Sequence, residues 1–218
     1  MLTLLLPVKS EAIKISALII LFDAIFMAKT PSEKKSLKQL LRYWHVEVIG
    51  LNKPFSFVRL YTRMKNKPGL KYVFWWRLAN HLYSNGYKRM AYRIHNRIKR
   101  NFSCDIMLGA TIGEGLTIAH HVGVVVTKRI VAGKNMKLTQ NCVIGSVGKN
   151  EQGKIIIGDN FFLGSNSCVI GDALHIGNNV TVGAMSFVNK DVTDNCTLYS
   201  EKTPRLIEKV SPDSGLLS

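Results

Sequence analysis

The sequence has no paired cysteines of the kind that bind metals, and its longest apolar stretch is too short for a membrane-spanning helix. The four cysteines, Cys104, Cys142, Cys168 and Cys196, are isolated and form no CxxC pair. They fit a reducing cytoplasm, where single cysteines act as small apolar side chains. The apolar stretch 15–28 contains Asp23 and is shorter than the ~20 residues that a spanning helix needs.

The N-terminal segment also lacks a basic start and an A-x-A cleavage site, so it does not read as a signal peptide. Residues 1–28 therefore form an apolar segment that either lies on a membrane or packs on the protein. A third alternative is that translation starts at Met27, in which case residues 1–26 are not part of the protein.

Acidic residues are scarce in the first half of the chain. Residues 1–103 hold 20 Lys and Arg but only 4 Asp and Glu, whereas residues 104–218 hold 10 of each. The formal charge of +16 thus lies entirely in the first half, which indicates an anionic partner there. No nucleic-acid-binding motif accompanies the charge. We therefore expect no nucleic acid. An anionic membrane face and an acidic glycan both remain candidate partners, and the first would make this a cytoplasmic protein with a peripheral contact at the inner membrane.

Residues 29–103 are predicted to form a basic α-helical domain. Thr30, Pro31 and Glu33 make a capping box with proline at the first helical position. Two apolar stripes follow at helical spacing, one before and one after Lys67-Pro68: Leu37, Leu40, Leu41 and Trp44, then Leu70, Val73, Phe74, Leu78 and Leu82. Six basic residues between Lys88 and Arg100 form either a solvated face or a lipid contact.

Residues 104–200 show an apolar position at every sixth residue, a period that fits neither a helix nor simple alternation. The positions are Ile106, Ile112, Ile118, Val124, Ile130, Met136 and Cys142, then Ile157, Leu163 and Val169, then Ile176, Val182 and Val188. A period of six is typical of a β-helix built from hexapeptides, in which three hexapeptides make one triangular coil. The predicted fold is therefore mainly β, a left-handed parallel β-helix preceded by an α-helical region, with a tail at 201–218.

The period is interrupted at residues 145–154, which are polar and glycine-rich. In a β-helix such an insertion leaves through a corner as an external loop. The loop is either passive or part of a binding surface.

Three histidines bear on the chemistry, His120, His121 and His175. Hexapeptide β-helices mostly support acyl transfer, and a minority carry a metal site. Such a metal site has three histidines, two of them four residues apart on one corner, and His120, His121 and His175 do not have that spacing. Adjacent residues of a strand also point to opposite sides, so we expect no metal. A metal-dependent hydratase and a non-catalytic scaffold remain alternatives from other functional classes.

Residues 103–205 resemble the serine acetyltransferase family through "DIMLGATIGEGLTIAHHVGVVV", "NCVIGSVGK", "IIIGDNFFLGSNSCVIGD" and "VTVGAMSFVNKDV". Within it they look closest to the branch of sugar and capsule O-acetyltransferases such as the colanic acid acetyltransferase. The resemblance implies a homotrimer with acetyl-CoA in the groove between neighbouring β-helices. It places the catalytic histidine at His120 and an aspartate fifteen residues earlier at Asp105. For contacts with acetyl-CoA it implies the corner segments Gly145, Ser146, Gly164, Ser165, Gly183 and Ala184.

The chemistry of these two residues agrees with the resemblance. A hydroxyl is a poor nucleophile near neutral pH, so its attack on a thioester needs a base such as imidazole. A carboxylate on the second ring nitrogen fixes the tautomer and stabilises the imidazolium. We expect His120 to be the base and Asp105 its orienting partner, with His121 secondary.

Two departures from serine acetyltransferases guide the expected acceptor. The family has an aspartate directly before the catalytic histidine, where this chain has Ala119, and a histidine at the end of the inserted loop, where this chain reads "NEQGKI". Both groups help to bind an amino acid. We therefore expect O-acetylation of a sugar hydroxyl, on a sugar or lipid-linked glycan, in polysaccharide biosynthesis. Serine O-acetylation in cysteine biosynthesis is the alternative.

Overall fold

The computed structural model describes residues 31–148 and 153–201. The predictions for residues 1–28, for the cap at Thr30 and for the tail beyond residue 201 lie outside these ranges. Within them, no helix combines the length and the apolar composition needed to cross a bilayer.

Four α-helices make up the first part of the described chain. They are α1 (Pro31–Trp44), α2 (Phe57–Met64), α3 (Pro68–Ser84) and α4 (Lys88–Phe102), and α1 continues into a π-helical turn at His45–Ile49. Prolines begin α1 and α3, where a missing N–H costs nothing. Helix α4 ends at Phe102 and is followed by Ser103, whose backbone is left-handed with φ of 48°.

Both predicted apolar stripes face the interior, with Leu41 and Leu70 only partly buried. Helix α3 is also buried on a second face, because Tyr72 and Trp76 pack against the β-helix. Trp76 is fully buried, and its Nε1 donates a hydrogen bond to the carbonyl of Ile106 at 2.8 Å. It is therefore a core residue that joins the two halves of the chain.

The second part of the described chain is a left-handed parallel β-helix, as predicted. Its strands form three parallel sheets, each made from one side of every coil. Sheet A contains β1 (Asp105–Ile106), β4 (Val125–Val126), β7 (Val143–Gly145), β10 (Cys168–Ile170) and β13 (Phe187–Val188). Sheet B contains β2 (Thr111–Ile112), β5 (Ile130–Ala132), β8 (Ile155–Ile157) and β11 (Leu174–Ile176). Sheet C contains β3 (Thr117–Ile118), β6 (Lys137–Leu138), β9 (Phe162–Leu163), β12 (Thr181–Val182) and β14 (Thr197–Leu198).

All thirteen predicted inward positions are buried, but the coils are not uniform. Ile106 pairs with Val126, although an unbroken step of six would pair it with Val124. Two residues are therefore added between Ile118 and Val126. The sequence pattern hides this addition because residues two apart on a strand face the same side, and both Val124 and Val126 point inward.

A ladder of asparagines closes the corner between sheets B and C. The ladder consists of Asn135, Asn160, Asn179 and Asn195, all with left-handed backbones and φ between 55° and 58°. The side-chain amide of each of the first three donates a hydrogen bond of 2.8–2.9 Å to the side-chain oxygen of the next asparagine. Asparagine tolerates this conformation better than other non-glycine residues.

A buried ion pair attaches the helices to the first coil. Arg77 of α3 binds Glu47 at 2.6 and 3.0 Å, and both side chains are almost fully buried. Arg77 also donates to the carbonyls of Ile112 and Gly113, while Glu47 accepts from the N–H groups of Gly115 and Leu116. Burial raises the pKa of the Glu47 carboxyl although Arg77 opposes the shift.

Candidate active site

The two added residues widen the corner between sheets C and A, and this corner carries both neighbouring histidines. His120 is exposed and has a left-handed backbone with φ of 74°. The ring of His121 instead packs edge-on against Phe102 at the end of α4, with 5.5 Å between ring centroids. Burial, and in second place the nearby His120, lowers the pKa of the His121 imidazole. The extra length of this corner thus leaves His120 in solvent while His121 anchors the chain.

Gly123 closes the same corner in a position that only glycine fits. Its φ is 74°, and a Cβ there would collide with the Oδ1 of Asn141 in the next coil.

Asp105 lies beside this corner, on the first strand of sheet A. Its N–H donates to the carbonyl of Val124 at 2.8 Å, and the carbonyl of Ser103 accepts from the N–H of Gly123 at 2.8 Å. The structure thus places the segment that carries Asp105 next to the segment that follows His120. Within the described chain the two side chains make no hydrogen bond in this state, so their catalytic pairing stays a prediction.

The carboxylate of Asp105 contacts two residues of α4 that the sequence analysis did not single out. Lys99 Nζ binds Oδ2, and His95 Nε2 lies 3.2 Å from Oδ1. The alignment with His95 is not that of a hydrogen bond, and Oδ1 is buried without a hydrogen-bond partner among the described residues. The signal for this cluster was the spacing of His95 and Lys99, which places both on one face of α4. Lys99, counted above with the basic face, is therefore an ion-pair partner.

Burial sets the titration of the other groups near Asp105. It lowers the pKa of His95, an effect that Asp105 opposes and Lys99 reinforces. It also raises the pKa of the Cys104 thiol to about 12. A thiol that stays protonated is a poor nucleophile, so Cys104 acts as a small apolar side chain, as the sequence analysis expected.

The six small residues expected to contact acetyl-CoA fall on two corners. Gly164, Ser165, Gly183 and Ala184 stack on the corner that carries His120, at the ends of β9 and β12. A Cβ on Gly164 would lie 2.6 Å from the backbone nitrogen of Ala184, so the coils approach closely here. Gly145 and Ser146 lie at the end of β7, on the corner between sheets A and B where the insertion leaves. The structure therefore brings four of the six to the histidine corner.

His175 lies on β11 in sheet B, away from the corner of His120 and His121. Within residues 31–148 and 153–201 no three His, Cys, Asp or Glu side chains gather as metal ligands would.

The comparisons with known proteins point to serine acetyltransferases. No protein-family model matches the sequence. The mitochondrial serine acetyltransferase 3 of Arabidopsis thaliana is 32% identical over 139 residues, which cover 62% of this chain and 35% of that protein. The serine acetyltransferase of Staphylococcus aureus (strain N315) is 35% identical over 127 residues, which cover 57% of this chain and 59% of that protein. The chain thus spans about a third to three fifths of the length of these curated relatives.

Solved structures show the same likeness. The serine acetyltransferase of Neisseria gonorrhoeae in complex with serine matches with a TM-score of 0.64 and 25% identity, over 76% of this chain and 69% of that one. The soybean serine acetyltransferase apoenzyme matches with a TM-score of 0.65 and 25% identity, over 75% of this chain and 67% of that one.

These comparisons correct two expectations. The resemblance to the colanic acid and capsule branch is wrong, because the relatives and the solved neighbours are named serine acetyltransferases from plants and bacteria. The sugar acceptor and the place in polysaccharide biosynthesis are wrong for the same reason. The chain is similar, in sequence and in fold, to the serine acetyltransferases.

Proposed function

We propose that this protein transfers the acetyl group of acetyl-CoA to the hydroxyl of serine. The observation that carries the proposal is the widened corner, which exposes His120 next to the strand that bears Asp105. The named activity of the relatives supplies the donor and the acceptor. An exposed imidazole on a rigid β-helix is suited to act as a general base.

In the proposed reaction His120 removes the proton of the serine hydroxyl as its oxygen bonds to the acetyl carbon. The carbon–sulfur bond of the thioester then breaks, and the imidazolium returns the proton to the departing thiolate. Asp105 holds the ring and stabilises its positive charge, as a carboxylate does for other catalytic histidines. The thioester contributes an activated acyl group, and the small residues at the ends of β9 and β12 leave space for it beside His120.

We further propose that three copies of the chain assemble through the outer face of sheet A. Its outward residues form an apolar stripe across four coils: Val125, Val143, Cys168 and Phe187. Val125 and Phe187 are 42% and 54% exposed. A second copy of this chain is the partner that fits, since the histidine corner borders the same sheet and would then line a cleft between copies. In that cleft, Gly145 and Ser146 of one copy could contribute to acetyl-CoA binding beside His120 of another.

The exposed arginines of α4, among them Arg93, Arg97 and Arg100, carry the charge for the peripheral contact with an anionic membrane surface. This contact is a proposal that rests on charge alone.

The acceptor and the base can be tested together. The protein is incubated with labelled acetyl-CoA and either serine or N-acetylserine, and thiol release and label transfer are measured. We expect transfer to serine, and we expect His120→Ala to lower kcat by ~10²–10⁴ because general-base catalysis is lost.

His175→Ala is the matched control, since it removes an exposed imidazole on β11 in sheet B, away from the histidine corner. It should retain most of the activity. Equal losses in both variants would contradict the assignment of His120. Because Ala119 offers no charge, equal use of serine and N-acetylserine would show that the serine ammonium is not recognised. Thiol release without transfer of label to serine would overturn the acceptor.

A further inference from the structure

Helix α4 contacts the proposed active site through His95, Lys99 and Phe102. His95 and Lys99 are one helical turn apart and face the same strand, and Asp105 follows the end of the helix at Phe102. The helix therefore has a fixed position relative to Asp105.

The two oxygens of Asp105 have different surroundings. Oδ2 is bound by Lys99, whereas Oδ1 is buried and has no hydrogen-bond partner within the described chain. The Asp105 side chain is 18% exposed and that of Lys99 is 54% exposed, so their ion pair is only partly screened by water. A carboxylate held by one oxygen keeps the other available for a second donor.

His95 cannot be that donor in the observed arrangement. Its Nε2 lies 3.2 Å from Oδ1, but the ring N–H is out of line for a hydrogen bond to that oxygen. Burial lowers the pKa of the His95 imidazole, an effect that Asp105 opposes. The donor that the proposed mechanism needs on Oδ1 is the ring N–H of His120.

The end of α4 also fixes the histidine corner. Phe102 contacts His121 at 5.5 Å and Tyr72 at 5.9 Å between ring centroids. The hydroxyl of Tyr72 in turn accepts a hydrogen bond of 2.9 Å from the N–H of Ile106, next to Asp105. Phe102 of α4 thus contacts the corner of His120, while Tyr72 of α3, which packs on Phe102, holds the strand of Asp105.

We propose that Lys99 is a positioning residue that holds Asp105 by Oδ2 and so presents Oδ1 to His120. The inference rests on the proposed function for the pairing of Asp105 with His120. The effect of Lys99 on the reaction passes through Asp105.

The test compares Lys99→Met and Lys99→Arg with Lys88→Met, which removes a lysine from the exposed start of the same helix. The titration midpoint of the His120 ring is followed by NMR on protein with labelled histidines, with the resonance assigned from His120→Gln. A displaced carboxylate no longer supports the imidazolium. We therefore expect Lys99→Met to lower the midpoint by about half a pH unit, towards the lower value expected for Asp105→Asn. Lys99→Arg and Lys88→Met should match the unchanged protein.

The direction of the shift separates positioning from a simple charge effect. Removing a nearby cation would by itself raise the midpoint of an imidazole, so a rise or no change in Lys99→Met overturns the proposal. In the same variant we expect kcat to fall about fivefold with unchanged KM values, the size set by a partly exposed ion pair. A fall in kcat that Lys99→Arg does not restore would also overturn it.

Failure of the proposed function is recognised separately. If the protein transfers no acetyl group to serine but the titrations follow the expected order, Lys99 still positions Asp105 and only the reaction is assigned wrongly. If Asp105→Asn leaves the His120 midpoint unchanged, the pairing of the two residues is wrong, and the role of Lys99 is overturned with it.

Discussion

At the scale of single residues, a few backbone conformations decide how the coils turn. Asn135, Asn160 and Asn179 all have left-handed backbones, and each side chain bonds to the same position one coil further on. Asparagine supplies both features, because its short amide tolerates this conformation and offers a donor and an acceptor.

Asn160 lies in the middle of the ladder, which makes it a sensitive position to test. Asn160→Ala removes the hydrogen bonds to Asn135 and Asn179 and puts a residue that tolerates the left-handed conformation less well than asparagine at this corner, so we expect a loss of about 2 kcal/mol in the free energy of unfolding. Asn160→Gly removes the same bonds without this strain and should cost about 1 kcal/mol less. Urea denaturation of both variants measures the difference. Equal losses would mean that the backbone conformation costs nothing at this corner.

At the scale of elements, α3 joins two cores. One face packs on the other helices and the second on the first coil, with Trp75 in contact with both clusters. The Arg77–Glu47 pair lies at this junction and is shielded from water. Because a buried charge without its partner is costly, the pair makes the docking of helices and β-helix specific.

Arg77→Met leaves the carboxyl of Glu47 buried without its counter-ion. We expect it to lower the free energy of unfolding by about 3–5 kcal/mol. Adding Glu47→Gln should restore part of the loss, because the charge is removed while the amide oxygen can still accept from Gly115 and Leu116.

The matched control is Arg42→Met, which breaks the exposed pair with Glu114 on the same side of the molecule. It should cost less than about 1 kcal/mol. Thermal and urea denaturation of the three proteins measure these changes. A loss in Arg42→Met as large as that in Arg77→Met would show that burial is not what makes the junction pair important.

At the scale of the whole molecule, the outer faces of sheets A and C differ. Sheet A presents its apolar stripe across four coils, whereas the outward positions of sheet C include Thr117, Lys137 and Thr197. Apolar residues that repeat along one face and face solvent in a single chain are typical of a surface covered in the assembly.

Phe187→Glu places a charge on the last and most exposed residue of the apolar stripe, inside the proposed contact between copies. We expect it to convert a trimer into monomers, because an unpaired carboxylate would be buried at the interface. Light scattering after size-exclusion chromatography measures the mass. Thr197→Glu adds the same charge to the exposed end of sheet C and should leave the trimer intact. A trimer that survives Phe187→Glu would mean that sheet A is not the contact.

Much of this protein could be predicted from the sequence by itself. The period of six fixes the β-helix, because each hexapeptide forms its strand locally and stacks on a nearly identical neighbour. The inward positions were predicted for the same reason, and all of them are buried. The same local logic located the insertion, since β7 ends at Gly145 and β8 begins at Ile155.

Only the tertiary structure decided what surrounds the candidate site. The two residues added at the histidine corner are invisible in the pattern, because Val124 and Val126 both satisfy the inward rule. Phe102 covers the ring of His121 and leaves His120 exposed. Lys99 is the ion-pair partner of Asp105. Both contacts come from α4 packing against the first coil. Such contacts join segments whose sequences obey separate periodicities, so no local pattern in either segment reveals them.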